Sequence, residues 1–125
     1  MTGPGENFDW DSLTFSLTQT DMMYVAKCNL DEAWDEGEIR PYGMLEIDPA
    51  AGVLNYGQGI FEGMKAQRTL QGRITLFRPE ENARRFQRGA ARLGMPPVPE
   101  SMFIDAVEQA VAANSAWIPP SGRGA

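Results

Sequence analysis

Residues 53–68, VLNYGQGIFEGMKAQR, set a tyrosine, a phenylalanine, an acid and a lysine around three closely spaced glycines, Gly57, Gly59 and Gly63. Backbone this rich in glycine either cradles a phosphate or packs so closely that side chains would obstruct it. The spacing G-x-G-x-x-x-G is one residue longer than the dinucleotide fingerprint, and no GK[ST] follows, so neither common phosphate loop is spelled out. Further on, ENARRFQRGAARL carries Arg84, Arg85, Arg88 and Arg92. Guanidinium groups suit forked contacts to a carboxylate or a phosphate. Helical spacing sends most of the four into solvent. Arg85, beside the apolar Phe86, falls at the border of the buried side and could face a cleft.

Other chemistry is sharply limited. The 125 residues contain no histidine and one cysteine, Cys28, so an internal disulfide, a Cys/His metal site and a Ser-His or Cys-His pair are all excluded. No metal is expected. Lys27 and Lys65 are the only lysines. The net charge of −6 argues against nucleic-acid binding, but the charge is divided along the chain. Residues 1–48 hold eleven acids against Lys27 and Arg40, whereas residues 63–93 hold eight bases against Glu80 and Glu81. The cationic segment fits an anionic small molecule or the acidic half of its own chain. No apolar run reaches the roughly 18 residues of a membrane span. The acidic start MTGPGENFDWDSL shows no secretory or transit segment, which suits a cytosolic protein or a mature form recorded without its leader.

The elements that would position these residues follow an α+β order, with antiparallel strands and a β-hairpin followed by two helices. Residues 1–12 read as a loose lead-in, and 13–125 as one domain. LTFSLTQT (13–20) and MMYVAKCNL (22–30) read as strands, and DEAWDEGEIR (31–40) as a solvated acidic connection. Short strands are expected at 43–47 and 52–56 around a turn at Asp48-Pro49. KAQRTLQGRITLF gives a hairpin, with strands at 64–69 and 73–77 and a turn at Gln71-Gly72. Pro79, Glu80 and Glu81 open a helix whose apolar positions are Ala83, Phe86, Ala90 and Leu93, with Gly94 as its stop. Pro99 and Glu100 open a second helix running toward Trp117, with Asn114 interrupting its apolar side and Pro119-Pro120 ending the segment.

Taken together, VLNYGQGIFEGMKAQR, RITLFRPEENARRFQRGAARL and NFDWDSLTFSLTQTDMMYVAKCN resemble branched-chain amino-acid aminotransferases of the plant type, which are fold-type-IV pyridoxal-phosphate enzymes. The resemblance runs from about Asn7 to the last residue and matches an N-terminal portion, so the domain is expected to be an incomplete small domain. It implies that Tyr56, Phe61 and Phe15 line the substrate pocket. It also implies that Arg85 binds the phosphate of the cofactor, pyridoxal 5′-phosphate. Lys65 matches a basic position after the F-E-G, not the Schiff-base lysine, and Lys27 matches nothing catalytic. No catalytic residue is therefore assigned within these 125 positions. The full-length form would transfer the amino group of leucine, isoleucine or valine to 2-oxoglutarate, as a homodimer in the plastid or cytoplasm. The alternative is a short, non-catalytic product that associates with a full-length aminotransferase subunit.

Overall fold

The computed structural model describes residues 2–124. Its longest elements are the two helices. Helix α2, Pro79–Arg92, begins with Pro79 at the first position, where a missing N–H costs nothing, and with Glu80 and Glu81 in the first turn against the positive end of the helix dipole. It ends where the Gly94 N–H donates to the Ala91 carbonyl (3.3 Å) and the Met95 N–H donates back to the Ala90 carbonyl (2.8 Å). This paired closure is the one glycine makes available after a helix. Helix α3, Glu100–Ala113, crosses α2. Phe86 meets Phe103 at the crossing (ring centroids 5.4 Å), and Arg84 Nε donates to Glu100 Oε2 at 3.2 Å. Ala83 and Ala90 on α2 are almost fully buried, and with Ile118 they form the buried apolar set among the described residues.

Strands β1 (Met22–Val25) and β2 (Glu38–Pro41) pair antiparallel, with Met22 opposite Pro41 and Val25 opposite Glu38. Asp35 shapes the connection between them. One carboxylate oxygen accepts from the Lys27 and Gly37 N–H groups, each at 3.0 Å. The pair lies against α3. Asn114, which breaks the apolar side of the second helical pattern, is the joint. Its Oδ1 accepts from the Met22 N–H (2.9 Å), while its Nδ2 donates to the Met22 and Ala110 carbonyls (3.0 and 2.9 Å). The amide thus extends the ladder of β1 from the end of a helix. A second two-stranded sheet, β3 (Ala66–Arg68) and β4 (Ile74–Leu76), is held near the exit of α3, where Arg68 Nη2 donates to the Ser115 carbonyl at 2.8 Å.

The structure is therefore a small α+β unit with two antiparallel strand pairs and helices. Several expected strands are absent. Residues 13–20 form no strand, because β1 and β2 pair only with each other and offer no partner to an alternating segment; Phe15 and Leu17 are fully exposed there. Residues 43–47 are unpaired for the same reason. Residues 52–56 form one helical turn, α1 (Gly52–Asn55), instead of a strand. The Asp48 side chain and carbonyl catch the N–H groups of Ala50 (2.7 Å) and Ala51 (2.9 Å), and this local turn, with the helix-forming Leu54, overrides the β-prone Val53. The acidic connection is shorter than expected, since its last residues belong to β2. The second helix stops at Ala113, and a tight 3-10 turn, Ser115–Trp117, carries the chain onward. Residues of the lead-in are tied down: the Gly3 N–H donates to Asp21 (2.8 Å), and Phe8 packs edge-on against Trp10 and Trp117.

Candidate functional site

The glycine-rich stretch is fastened along α2 at three points. Gln58 Nε2 donates to the Leu93 carbonyl at 2.9 Å, Ile60 sits over Gly89, and Glu62 takes Arg85 and Asn82. Two residues of extended chain advance about 6.6 Å, and four residues of helix about 6 Å. The series 58 with 93, 60 with 89 and 62 with 85 is therefore a register that a nearly straight segment can keep. The side chains of Gln58, Ile60 and Glu62 all meet α2, whereas Phe61 between them is exposed. The Glu62 side chain is accordingly only 7% exposed, while its neighbour Phe61 is 93% exposed.

The glycines serve this route and not a phosphate loop. Gly57, at φ +63°, makes the left-handed turn that leads the chain out of α1. Gly59 passes so close to α1 that a Cβ there would lie 2.9 Å from Val53 Cγ2. Gly89 leaves room on α2 for Ile60, whose Cγ2 would be 3.4 Å from an added Cβ.

Glu62 and Arg85 form the electrostatic centre. Arg85 Nε donates to Glu62 Oε1 and Arg85 Nη2 donates to Oε2 at 2.8 Å. Asn82 Nδ2 donates to the same Oε2 at 2.8 Å and to the Gly63 carbonyl at 3.1 Å, and the Gly63 N–H adds a contact at 3.2 Å. The Glu62 side chain is 7% exposed, whereas that of Arg85 is 64% exposed. The Arg85 hydrogen bonds, with help from Asn82 and the Gly63 amide, hold the Glu62 carboxyl at about 2 against an ordinary 4.5, although burial pushes the other way. The same pairing raises Arg85. Glu62 is thus ionised and fixed, and among the described residues Arg85 Nη1 has no partner.

Arg85 also divides two surface cavities. The first, about 260 Å³, is lined by Phe77, Arg78, Glu81, Asn82, Arg85 and Arg88. Its one carboxylate is already engaged, since Glu81 takes Arg84 at 2.7 Å and Arg78 at 3.6 Å. The second, about 320 Å³, brings Phe61, Glu62, Arg85 and Phe86 together. Of the residues expected to form the site, Phe61 and Arg85 therefore share one cavity. Tyr56 follows α1 and is 86% exposed, and Phe15 is fully exposed; neither lines these two cavities. Neither cavity has a lysine in its wall. Lys27 borders the space around Asp35 and Arg40, and Lys65 borders spaces beside Gly63 and beside Pro119. Among the described residues no group of three or more acids and thiols could hold a metal.

Two contributors were not legible from the types of residue alone. Glu62 looks like an ordinary solvated acid after Phe61, and Asn82 like a helix-surface amide. The alternation of Gln58, Ile60 and Glu62 against glycines is the signal that could have placed Glu62 on the helix side.

A largely shielded, ionised carboxylate thus grips an arginine at the edge of an open cavity lined by two further arginines, on an α+β scaffold. No family model matches the chain. It is 53% identical over 116 residues to branched-chain-amino-acid aminotransferase 5, chloroplastic, of Arabidopsis thaliana, covering 93% of this chain and 28% of that protein. It is 52% identical over 118 residues to branched-chain amino acid aminotransferase 2, chloroplastic, of Humulus lupulus, covering 94% of this chain and 29% of that protein. A methionine aminotransferase of Arabidopsis thaliana is 51% identical over 118 residues, covering 94% of this chain and 33% of that protein. The resemblance to plant branched-chain aminotransferases thus extends over nearly the whole chain. The chain spans about 30% of the length of the curated relatives it matches, consistent with an N-terminal portion.

Proposed function

We propose that this chain is the N-terminal small-domain portion of a fold-type-IV branched-chain aminotransferase, and that it supplies the arginine that holds the phosphate of pyridoxal 5′-phosphate. The observation that carries the reading is the match to plant aminotransferases over 93–94% of the chain. The position of Arg85 supports it: the residue borders both an arginine-lined cavity and one walled by Phe61, and its Nη1 is unpartnered among the described residues. A phosphate dianion takes charge-assisted hydrogen bonds from guanidinium, each contributing about 1.5–3 kcal/mol. Arg88, which forms no ion pair among the described residues, adds charge beside it, while Arg78 shares Glu81 with Arg84.

When bound, pyridoxal phosphate supplies the electron sink on which an amino group passes from an amino acid to a 2-oxo acid. This chain's part is to seat the phosphate on Arg85 and to offer Phe61 as an apolar wall, which Tyr56 and Phe15, lining neither cavity here, would join only in the full-length protein. Such a wall favours a branched aliphatic side chain by about 0.8 kcal/mol per buried methylene. The proton-moving lysine is assigned to the remainder of the full-length protein, because Lys27 and Lys65 border other spaces. Leucine, isoleucine and valine with 2-oxoglutarate are the proposed substrates, used by a homodimer. Residence in the plastid or cytosol belongs to the same proposal.

The test is Arg85→Ala in the full-length product. Its affinity for pyridoxal phosphate should fall by about ten- to a hundredfold, read from cofactor absorbance after dialysis. Unchanged retention would remove Arg85 from the site. The methionine aminotransferase relative supplies a competing substrate class, an unbranched thioether. A kcat/KM higher for methionine than for leucine would favour that class.

A further inference from the structure

We propose that Glu62 is the positioning residue for Arg85: it occupies the Nε and Nη2 positions of the guanidinium and so presents the Nη1 side to the phosphate of a pyridoxamine-type cofactor. The inference rests on the assignment of the phosphate to Arg85. Three observations carry it. Glu62 grips Arg85 through both carboxylate oxygens, a forked contact that fixes the plane of the guanidinium as a single hydrogen bond does not. Glu62 is itself immobilised, being 7% exposed, held by Asn82 and the Gly63 amide, and set in register by Ile60 and Gln58 along α2. Arg85 remains 64% exposed, with Nη1 unpartnered among the described residues, so the pair is closed toward the protein and open toward the cavity. An arginine held this way loses little further side-chain freedom when an anion arrives, and such preorganisation strengthens binding.

The proposal makes a prediction opposite in sign to simple charge counting. Removing a carboxylate close to an anion site should strengthen anion binding if charge alone mattered, and a purely structural pair would affect stability and not affinity. If Glu62 aims Arg85, its removal weakens binding.

The experiment follows the Arg85 side-chain Nε–H and the backbone amides of the full-length product by NMR during titration with pyridoxamine 5′-phosphate. This probe has no aldehyde to react with Lys27 or Lys65, and pyridoxamine is the phosphate-free control. Wild type should show saturable shifts at Arg85 with the phosphate form only. Glu62→Gln should bind about tenfold more weakly, and Glu62→Asp, which keeps the charge, should fall between the two. Equal or tighter binding by a folded Glu62→Gln would overturn the role of Glu62 while leaving Arg85 assigned. Absence of phosphate-dependent shifts in wild type would overturn the Arg85 assignment and this inference with it. Should Glu62→Gln lose its native spectrum, Asn82→Ala leaves both charges and removes one support of Glu62. It should weaken binding measurably, and unchanged affinity there would also overturn the proposal.

Discussion

Glu62 places a full negative charge on a side chain that is only 7% exposed, and it survives there because four donors from Arg85, Asn82 and Gly63 converge on it. Its folded-state value of about 2 lies below the ordinary 4.5, so the folded chain releases this proton more readily than the unfolded one. The resulting stabilisation is complete above about pH 4.5 and is lost as pH falls from there toward 2. Asp21, lowered chiefly by the Trp117 indole N–H and then by the Gly3 amide, shifts in the same direction. The slope specific to Glu62 must therefore be read as a difference between proteins. Urea unfolding between pH 6 and pH 2.5 should show wild type losing stability more steeply on acidification than Glu62→Gln. Parallel curves would mean that Glu62 is not held ionised by its partners. At this scale the sequence was half informative. Its place beside Phe86 let Arg85 border a cleft, and the family resemblance singled it out from Arg84, Arg88 and Arg92, but no local feature of Phe61-Glu62-Gly63 names the partner of an acid 23 positions before that arginine.

Elements were legible where a periodic pattern could form its own hydrogen bonds. Both long helices were readable, with starts at Pro79 and Glu100, because proline, acids and the closing Gly94 mark ends that depend on nearby residues. The β3–β4 hairpin was readable too, being local, although its ladder is shorter than the apolar alternation suggests. Strands that need a distant partner were not. LTFSLTQT has the right alternation and no neighbour to pair with, whereas EIRP, hidden at the end of an acidic run, is drawn into a ladder by Met22–Val25. Asn114 shows the same point from the helix side, since a polar residue on an apolar face proved to serve the backbone of β1. Asn114→Ala should destabilise the chain by about 1–3 kcal/mol, because the Met22 N–H and carbonyl lose their partners in a half-buried place. Chemical denaturation at neutral pH measures this. A change below a few tenths of a kcal/mol would show that the joint between α3 and β1 is not held by that side chain.

Across the whole molecule, the two charge blocks do not neutralise each other. The ion pairs of residues 63–93 among those described run to Glu62, Glu81 and Glu100, and none reaches the acids of residues 1–48. The basic segment therefore keeps a cationic surface around Arg78, Arg85 and Arg88. Large apolar side chains are also outward, with Phe15, Leu17, Met44, Tyr56, Phe61 and Phe77 each more than four-fifths exposed. Exposed aromatic groups beside an open cationic cavity suit a unit whose site is completed by further protein, as the 28–33% coverage of the relatives also suggests. Among the described residues no helix is long and apolar enough to cross a membrane. The most direct test of the central claim is the size of the native product, detected in source tissue with an antibody raised against residues 79–117. A single species at about three times the 13.8 kDa of this chain is predicted. A species at 13.8 kDa itself would contradict the reading and point to a short product acting through a partner.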